Sequence, residues 1–124
     1  MGGTAVRIEA GAHELMADEP APVGVDLGPD PYALLLGALG ACTAITATLY
    51  ANRKGWPLEG VEVRLRHDRE HTDDCASGGA CDRAEVQVAF RGPLDDSQRT
   101  RLAEIATRCP VARTLGRGVT VVHG

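Results

Sequence analysis

From Pro31 to Asn52 the chain carries no formally charged residue, and this apolar run is the strongest pattern in the sequence. Asp30 suits the N-cap and Pro31 the first turn of a helix that this run would form. Arg53-Lys54-Gly55 supplies the basic residues and glycine that suit its end. Leu35, Leu39, Cys42, Ile45 and Leu49 make one stripe of that helix, with Cys42 about three turns inside it. Before the run, Val6 and Ile8 alternate with polar neighbours and Leu15 follows a break at Ala10-Gly11, which predicts a hairpin of two short strands. After it, Val61, Val63 and Leu65 alternate with Glu62, Arg64 and Arg66, and Ala84, Val86, Val88 and Phe90 repeat the alternation. A polar gap holding Gly78-Gly79 makes these two strands antiparallel neighbours. Asp95 with Gln98 resembles a capping box opening a second helix, whose apolar face runs Leu102, Ile105, Ala106, Cys109. Val119 to Val122 reads as a last short strand. The order β, β, long helix, β, β, helix, β defines an α+β fold class.

At 124 residues the chain is expected to form one domain, residues 1–124. The uncharged helix is long enough to span a bilayer, but it is rich in Gly, Ala and Thr and is the only such segment, so no membrane partner is expected. A buried helix that is apolar all round must be covered all round, and the remaining chain can hardly wrap it. A homodimer supplying the other half of the shell answers that demand. Ala33, Gly37, Ala41 and Ala44, spaced three or four apart, would let a second helix approach closely. The balance of 13 basic against 17 acidic residues, a net charge of −4, argues against nucleic acid. No apolar run follows a basic N-terminal segment, so a reducing, cytoplasmic location is expected.

In such a compartment a disulfide is more often chemical than structural, which turns attention to the cysteines. Cys42 and Cys109 lie far apart in sequence, each on a predicted core-facing helix position; they read either as a redox pair or as two unrelated core residues. A thiol buried among leucines has a raised pKa unless a cation or hydrogen-bond donor reaches it. Within the first 52 residues Arg7 is the only cationic side chain, either a supporting group for Cys42 or a solvated strand residue. Cys109 either ends the second helix or caps a further turn beginning at Pro110, with Arg108 and Arg113 adding positive charge nearby. His67, His71, Cys75 and Cys81 include the ligand types zinc favours, without finger spacing; a local Cys75–Cys81 disulfide and solvated loop residues are the alternatives, and no metal site is assigned. No glycine-rich phosphate loop follows a strand.

Gly28-Pro29-Asp30-Pro31-Tyr32, Gly37-Ala38-Leu39-Gly40-Ala41-Cys42-Thr43, Arg108-Cys109-Pro110-Val111 and Arg113-Thr114-Leu115 together resemble the OsmC/Ohr family over nearly the whole chain. Asp18-Glu19-Pro20, Lys54-Gly55-Trp56 and Asp74-Cys75 bring it nearest the OsmC-like branch. The resemblance implies an intertwined homodimer, with antiparallel sheets of both chains wrapped around two long central helices. It implies thiol-dependent reduction of organic hydroperoxides without a cofactor, in which Cys42 matches the peroxidatic cysteine and Cys109 the resolving one. A dithiol such as a dihydrolipoyl protein would recycle the pair. An apolar pocket at the dimer interface, lined by Leu35, Leu39 and Ile45, would suit an alkyl hydroperoxide. Two departures stand out: peroxidase members carry a glutamate shortly after the proline matching Pro31, where this chain has Tyr32 and Ala33, and many have a histidine where it has Ala112. The alternative is a non-peroxidase relative that binds or transforms a small apolar molecule in the same pocket.

Overall fold

A computed structural model describes residues 3–69 and 81–124. They form two compact units, Met1–Gly37 and Ala38–Gly124, with one long helix running from the first into the second.

In the first unit, β1 (Val6–Ala10) pairs antiparallel with β2 (His13–Ala17), Val6 opposite Ala17 and Ala10 opposite His13. Gly11 makes the turn at φ 62°, a conformation that glycine adopts without steric cost. Asp18 follows and is buried. Its carboxylate accepts from the Thr4 hydroxyl at 2.5 Å and from the backbone N–H groups of Glu19, Val25 and Leu27 at 2.8, 3.1 and 3.2 Å. One buried anion thus gathers the donors of a loop that has no regular secondary structure to satisfy them. Asp30 Oδ1 then accepts from the Ala33 N–H at 2.8 Å, capping α1 (Pro31–Lys54) as the sequence predicts.

The second unit takes α1 from Ala38 onward and adds β3 (Gly60–Arg69), β4 (Asp82–Arg91), α2 (Asp96–Ala106) and α3 (Pro110–Arg117). Gly55, at φ 69°, follows the last turn of α1. β3 and β4 are antiparallel, with Val61 opposite Phe90, Val63 opposite Val88 and Leu65 opposite Val86, so the alternating apolar residues share one face. The capping box on α2 is present in both directions: Asp95 Oδ1 accepts from the Gln98 N–H at 2.7 Å, and Gln98 Oε1 from the Asp95 N–H at 3.0 Å. Ala47, Ala51, Leu94, Leu102 and Ala106 make the core, with Tyr50, Trp56, Leu58 and Phe90 packed on it. The Arg99 guanidinium ties β4 to α2 by donating to the carbonyls of Phe90, Gly92 and Leu94.

Two expectations are corrected, and one open choice is decided. The covered side of α1 runs Leu39, Gly40, Thr43, Ala47, Ala51, whereas Ile45 and Leu49 from the predicted stripe are 57% and 58% exposed. Small residues set this choice, because they let the helix approach closely: a Cβ on Gly40 would lie 2.8 Å from Leu65 Cδ1. The second helix stops at Ala106, and Cys109 belongs to the start of the next one. Val119–Val122 forms no strand; Val119, Val121 and Val122 are exposed, and among the described residues no strand edge pairs with them. By length and composition α1 is apolar enough to cross a membrane.

Candidate functional site

Cys109 is the N-cap of α3, with extended backbone angles (φ −66°, ψ 135°), and Pro110 occupies the first turn. Proline suits that position because the first N–H groups of a helix have no partner within it. Those orphan donors turn to sulfur. The Ala112 N–H donates to Cys109 Sγ at 3.3 Å, and the neighbouring Val111 N–H acts on the Cys42 thiol of α1 and lowers its pKa. The Cys109 thiol and the Thr46 hydroxyl, one turn further along α1, act on Cys42 in the same direction. Neither cysteine is in a disulfide; Cys109 is fully buried and Cys42 half-buried.

Burial is the largest influence on Cys42 and pushes its thiol up, but the Val111 amide, the Cys109 thiol and the Thr46 hydroxyl together outweigh it and hold the pKa below the ordinary cysteine value. Hydrogen bonds to the charged form and the positive end of a helix both favour a thiolate. Such an arrangement suits a nucleophilic sulfur with a second thiol nearby.

The sequence identifies both cysteines and anticipates the capping role of Cys109. It misses Thr46 and Val111. The only signal for Thr46 is a hydroxyl four residues after Cys42, on the same helix face. Nothing along the chain points to Val111, which contributes through its backbone.

Arg7 lies in the first unit, exposed, where its guanidinium pairs with Glu14 at 2.8 Å and Glu9 at 3.2 Å. Of the three predicted pocket residues, Leu39 lines a cavity of about 430 Å³ in the second unit, together with Thr43, Val86, Val88, Ala103, Ala106, Thr107 and Ala112. Leu35 and Ile45 are exposed and do not line it. His67 Nε2 lies 2.9 Å from Asp82 Oδ1, and Cys81 is disulfide-bonded. The proposed Cys75–Cys81 link and His71 fall outside the described residues. Among the described residues no group of three metal-binding side chains is found.

A pair of free, hydrogen-bonded thiols held at a helix N-terminus, on three helices and antiparallel sheets, defines an α+β protein with a two-cysteine site. The chain belongs to the OsmC-like protein family, whose family model matches residues 24–124. Its fold is similar to an OsmC-like protein from Mycoplasma pneumoniae, at 22% identity over 96% of this chain and 89% of that one, with a TM-score of 0.73. It is also similar to a putative organic hydroperoxide resistance protein from Vibrio cholerae, crystallised with captopril in one of its active sites (21% identity, 91% and 76% covered, TM-score 0.63). A third similar fold is that of the organic hydroperoxide resistance protein OhrB of Bacillus subtilis (18% identity, 90% and 89% covered, TM-score 0.55). No curated protein sequence matches the chain.

Proposed function

We propose that this chain is a thiol-dependent peroxidase that reduces organic hydroperoxides through Cys42 and Cys109, working as one OsmC-like domain in a cytoplasmic homodimer. The observation that carries the reading is the convergence of both sulfurs on the N-terminus of α3, with the Cys42 thiolate favoured by three donors. Resemblance to hydroperoxide resistance proteins supports the substrate class.

In the reaction, the Cys42 thiolate attacks the terminal oxygen of the hydroperoxide. A sulfur–oxygen bond forms, the oxygen–oxygen bond breaks, and the alkoxide takes up a proton and leaves as the alcohol. Cys42 is then a sulfenic acid. The Cys109 sulfur attacks the Cys42 sulfur, expelling hydroxide, which leaves as water with the Cys109 proton. An external dithiol, such as a dihydrolipoyl protein, reduces the Cys42–Cys109 disulfide and is itself oxidised to a disulfide. In this reading the Cys42 thiolate is favoured by Val111, Cys109 and Thr46, so the scheme does not route through Arg7. A homodimer would cover the exposed side of α1, including Ala41, Ile45 and Leu49, and would give the Val119–Val122 segment an edge to pair with.

Tyr32 and Ala33, standing where those relatives carry the glutamate, favour the second reading, a non-peroxidase relative that binds a small apolar molecule. A mass-spectrometric peptide map of the reduced protein after one equivalent of an organic hydroperoxide separates the two. A rapid Cys42–Cys109 cross-link is expected, with Cys109→Ser trapping a sulfenic or over-oxidised Cys42. Hydroperoxide consumption that survives Cys42→Ser would overturn the assignment.

A further inference from the structure

The last turn of α1 and the middle of α2 gather positive charge around one phenol ring. Arg53 and Lys54 of α1 and Arg101 of α2 stand with their charged groups 5.7, 5.7 and 5.5 Å from the centre of the Tyr50 ring. The Tyr50 hydroxyl accepts from Arg101 Nε at 3.1 Å, and the ring meets Trp56 edge-on with centroids 5.5 Å apart. Tyr50 and Trp56 pack on the core, so the ring is a fixed post around which the cations are arranged.

A ring quadrupole attracts cations but carries no net charge, so it neutralises none of them. Arg101 pairs with Glu104 at 3.0 Å, while among the described residues neither Arg53 nor Lys54 forms an ion pair. The cluster is therefore a concentrated positive patch on a chain whose net charge is −4. The Tyr50 phenol registers it. The Arg101 hydrogen bond foremost, opposed by burial and joined by the fields of Arg101, Lys54 and Arg53, holds that hydroxyl below the ordinary tyrosine value.

The patch also lies on the same helix as the reactive thiol. Tyr50 follows Cys42 by eight residues of α1, about 12 Å along the axis, and Arg53 comes round after about three full turns to the face that carries Cys42. Cys109 is fully buried and Cys42 half-buried, so a molecule that reaches the pair from solvent comes past Cys42.

We infer, resting on the peroxidase reading above, that Arg53, Lys54 and Arg101 form the docking surface for an acidic face of the dithiol protein that reduces the Cys42–Cys109 disulfide. The docked dithiol becomes a disulfide as Cys42 and Cys109 return to thiols, so two electrons and two protons cross in each encounter. A contact made by charge and not by apolar burial forms fast and releases fast, which suits a protein met once per turnover.

The test measures hydroperoxide turnover with two reductants, dithiothreitol and a dihydrolipoyl domain of net negative charge. With the domain, kcat/KM is expected to fall at least tenfold between about 0.01 and about 0.15 M salt, as the screening length shrinks from about 30 to about 8 Å. Reversing two charges together, Arg53→Glu with Lys54→Glu, is expected to lower kcat/KM for the domain about tenfold at low salt, through KM, and to leave dithiothreitol turnover within about twofold. Native and reversed proteins are expected to converge at high salt. Equal use of the domain by both at low salt overturns the docking surface and leaves the peroxidase reading standing. So does faster reduction by a dithiol protein of net positive charge, or sedimentation showing that the reversal splits a dimer, which would make the cluster a subunit contact. A native protein that consumes no hydroperoxide even with dithiothreitol refutes the peroxidase reading, and the docking proposal falls with it.

Discussion

Replacing Thr46 with valine exchanges one hydroxyl for a methyl group of nearly the same size. Thr43 and Thr48 spend their hydroxyls on the carbonyls four residues back, Leu39 and Ala44, each at 2.8 Å. The Thr46 hydroxyl is instead one of the groups that lower the Cys42 pKa, so its loss falls on the thiolate. A hydrogen bond to a charged group contributes roughly 1.5–3 kcal/mol. Loss of such a donor at the low end of that range, about 1.5 kcal/mol, shifts a thiol–thiolate balance roughly tenfold. The assay is the pH dependence of Cys42 alkylation by iodoacetamide, in a Cys109→Ser background where serine keeps the N-cap of α3. Below its midpoint the valine variant is expected to react about tenfold more slowly, and Thr46→Ser to recover most of the rate. Valine and serine variants that match each other would refute the hydroxyl's role. A native midpoint at the ordinary cysteine value would refute the donor argument as a whole. The sign for stability follows from the lowered pKa: the contribution of the Cys42 thiolate is fully present above the unfolded cysteine value and is lost as pH falls through the folded one.

Asp18 gives the corresponding prediction for the first unit. The Thr4 hydroxyl holds its carboxyl below the usual range, burial opposes this, and the Leu27, Val25 and Glu19 amides add to the lowering. Its contribution is therefore present above the ordinary carboxylate pKa and lost as pH falls through the lowered value. Hydrogen exchange at the Val25 and Leu27 amides is expected to accelerate only in that acid range, and Asp18→Asn to accelerate it at neutral pH as well; native protection that ignores pH would contradict this. Arg7 is engaged by Glu9 and Glu14, so Arg7→Met is expected to leave Cys42 alkylation within about twofold, as an exposed ion pair has little influence beyond its own neighbours. A tenfold loss would return Arg7 to the site.

The elements that carry strong local signals were legible. Asp30 and Gly55 bound α1, alternation places Val61, Val63 and Leu65 opposite Phe90, Val88 and Val86, and Asp95 and Gln98 open α2 as a capping box. The Cys-Pro step at Cys109 announced a new helix start. What failed was the choice of face on α1. A helix apolar on every side has no moment to orient it, so tertiary packing decides, and it favoured Gly40, Thr43, Ala47 and Ala51 over the leucine stripe. The last short strand expected over Val119–Val122 is absent, because a strand also needs a neighbour, which local pattern does not supply. The electrostatics of Cys42 were sought among charged side chains. They come instead from a backbone amide, a hydroxyl and a second thiol, groups that formal charge along a sequence does not register.

In the proposed cycle the α3 terminus also shapes the return half. Of the groups that favour the Cys42 thiolate, the Val111 amide and the Thr46 hydroxyl remain once Cys42 is joined to Cys109, whose own proton is gone. A sulfur that carries negative charge comfortably departs faster when an incoming thiolate cleaves its disulfide. Formation of the disulfide leaves the Val111 and Ala112 amides facing neutral sulfur, and its cleavage restores an anion to the same place. On that scheme the α3 terminus makes the oxidised form the less settled of the two, so return to the thiols is built into the element that lowers the Cys42 pKa.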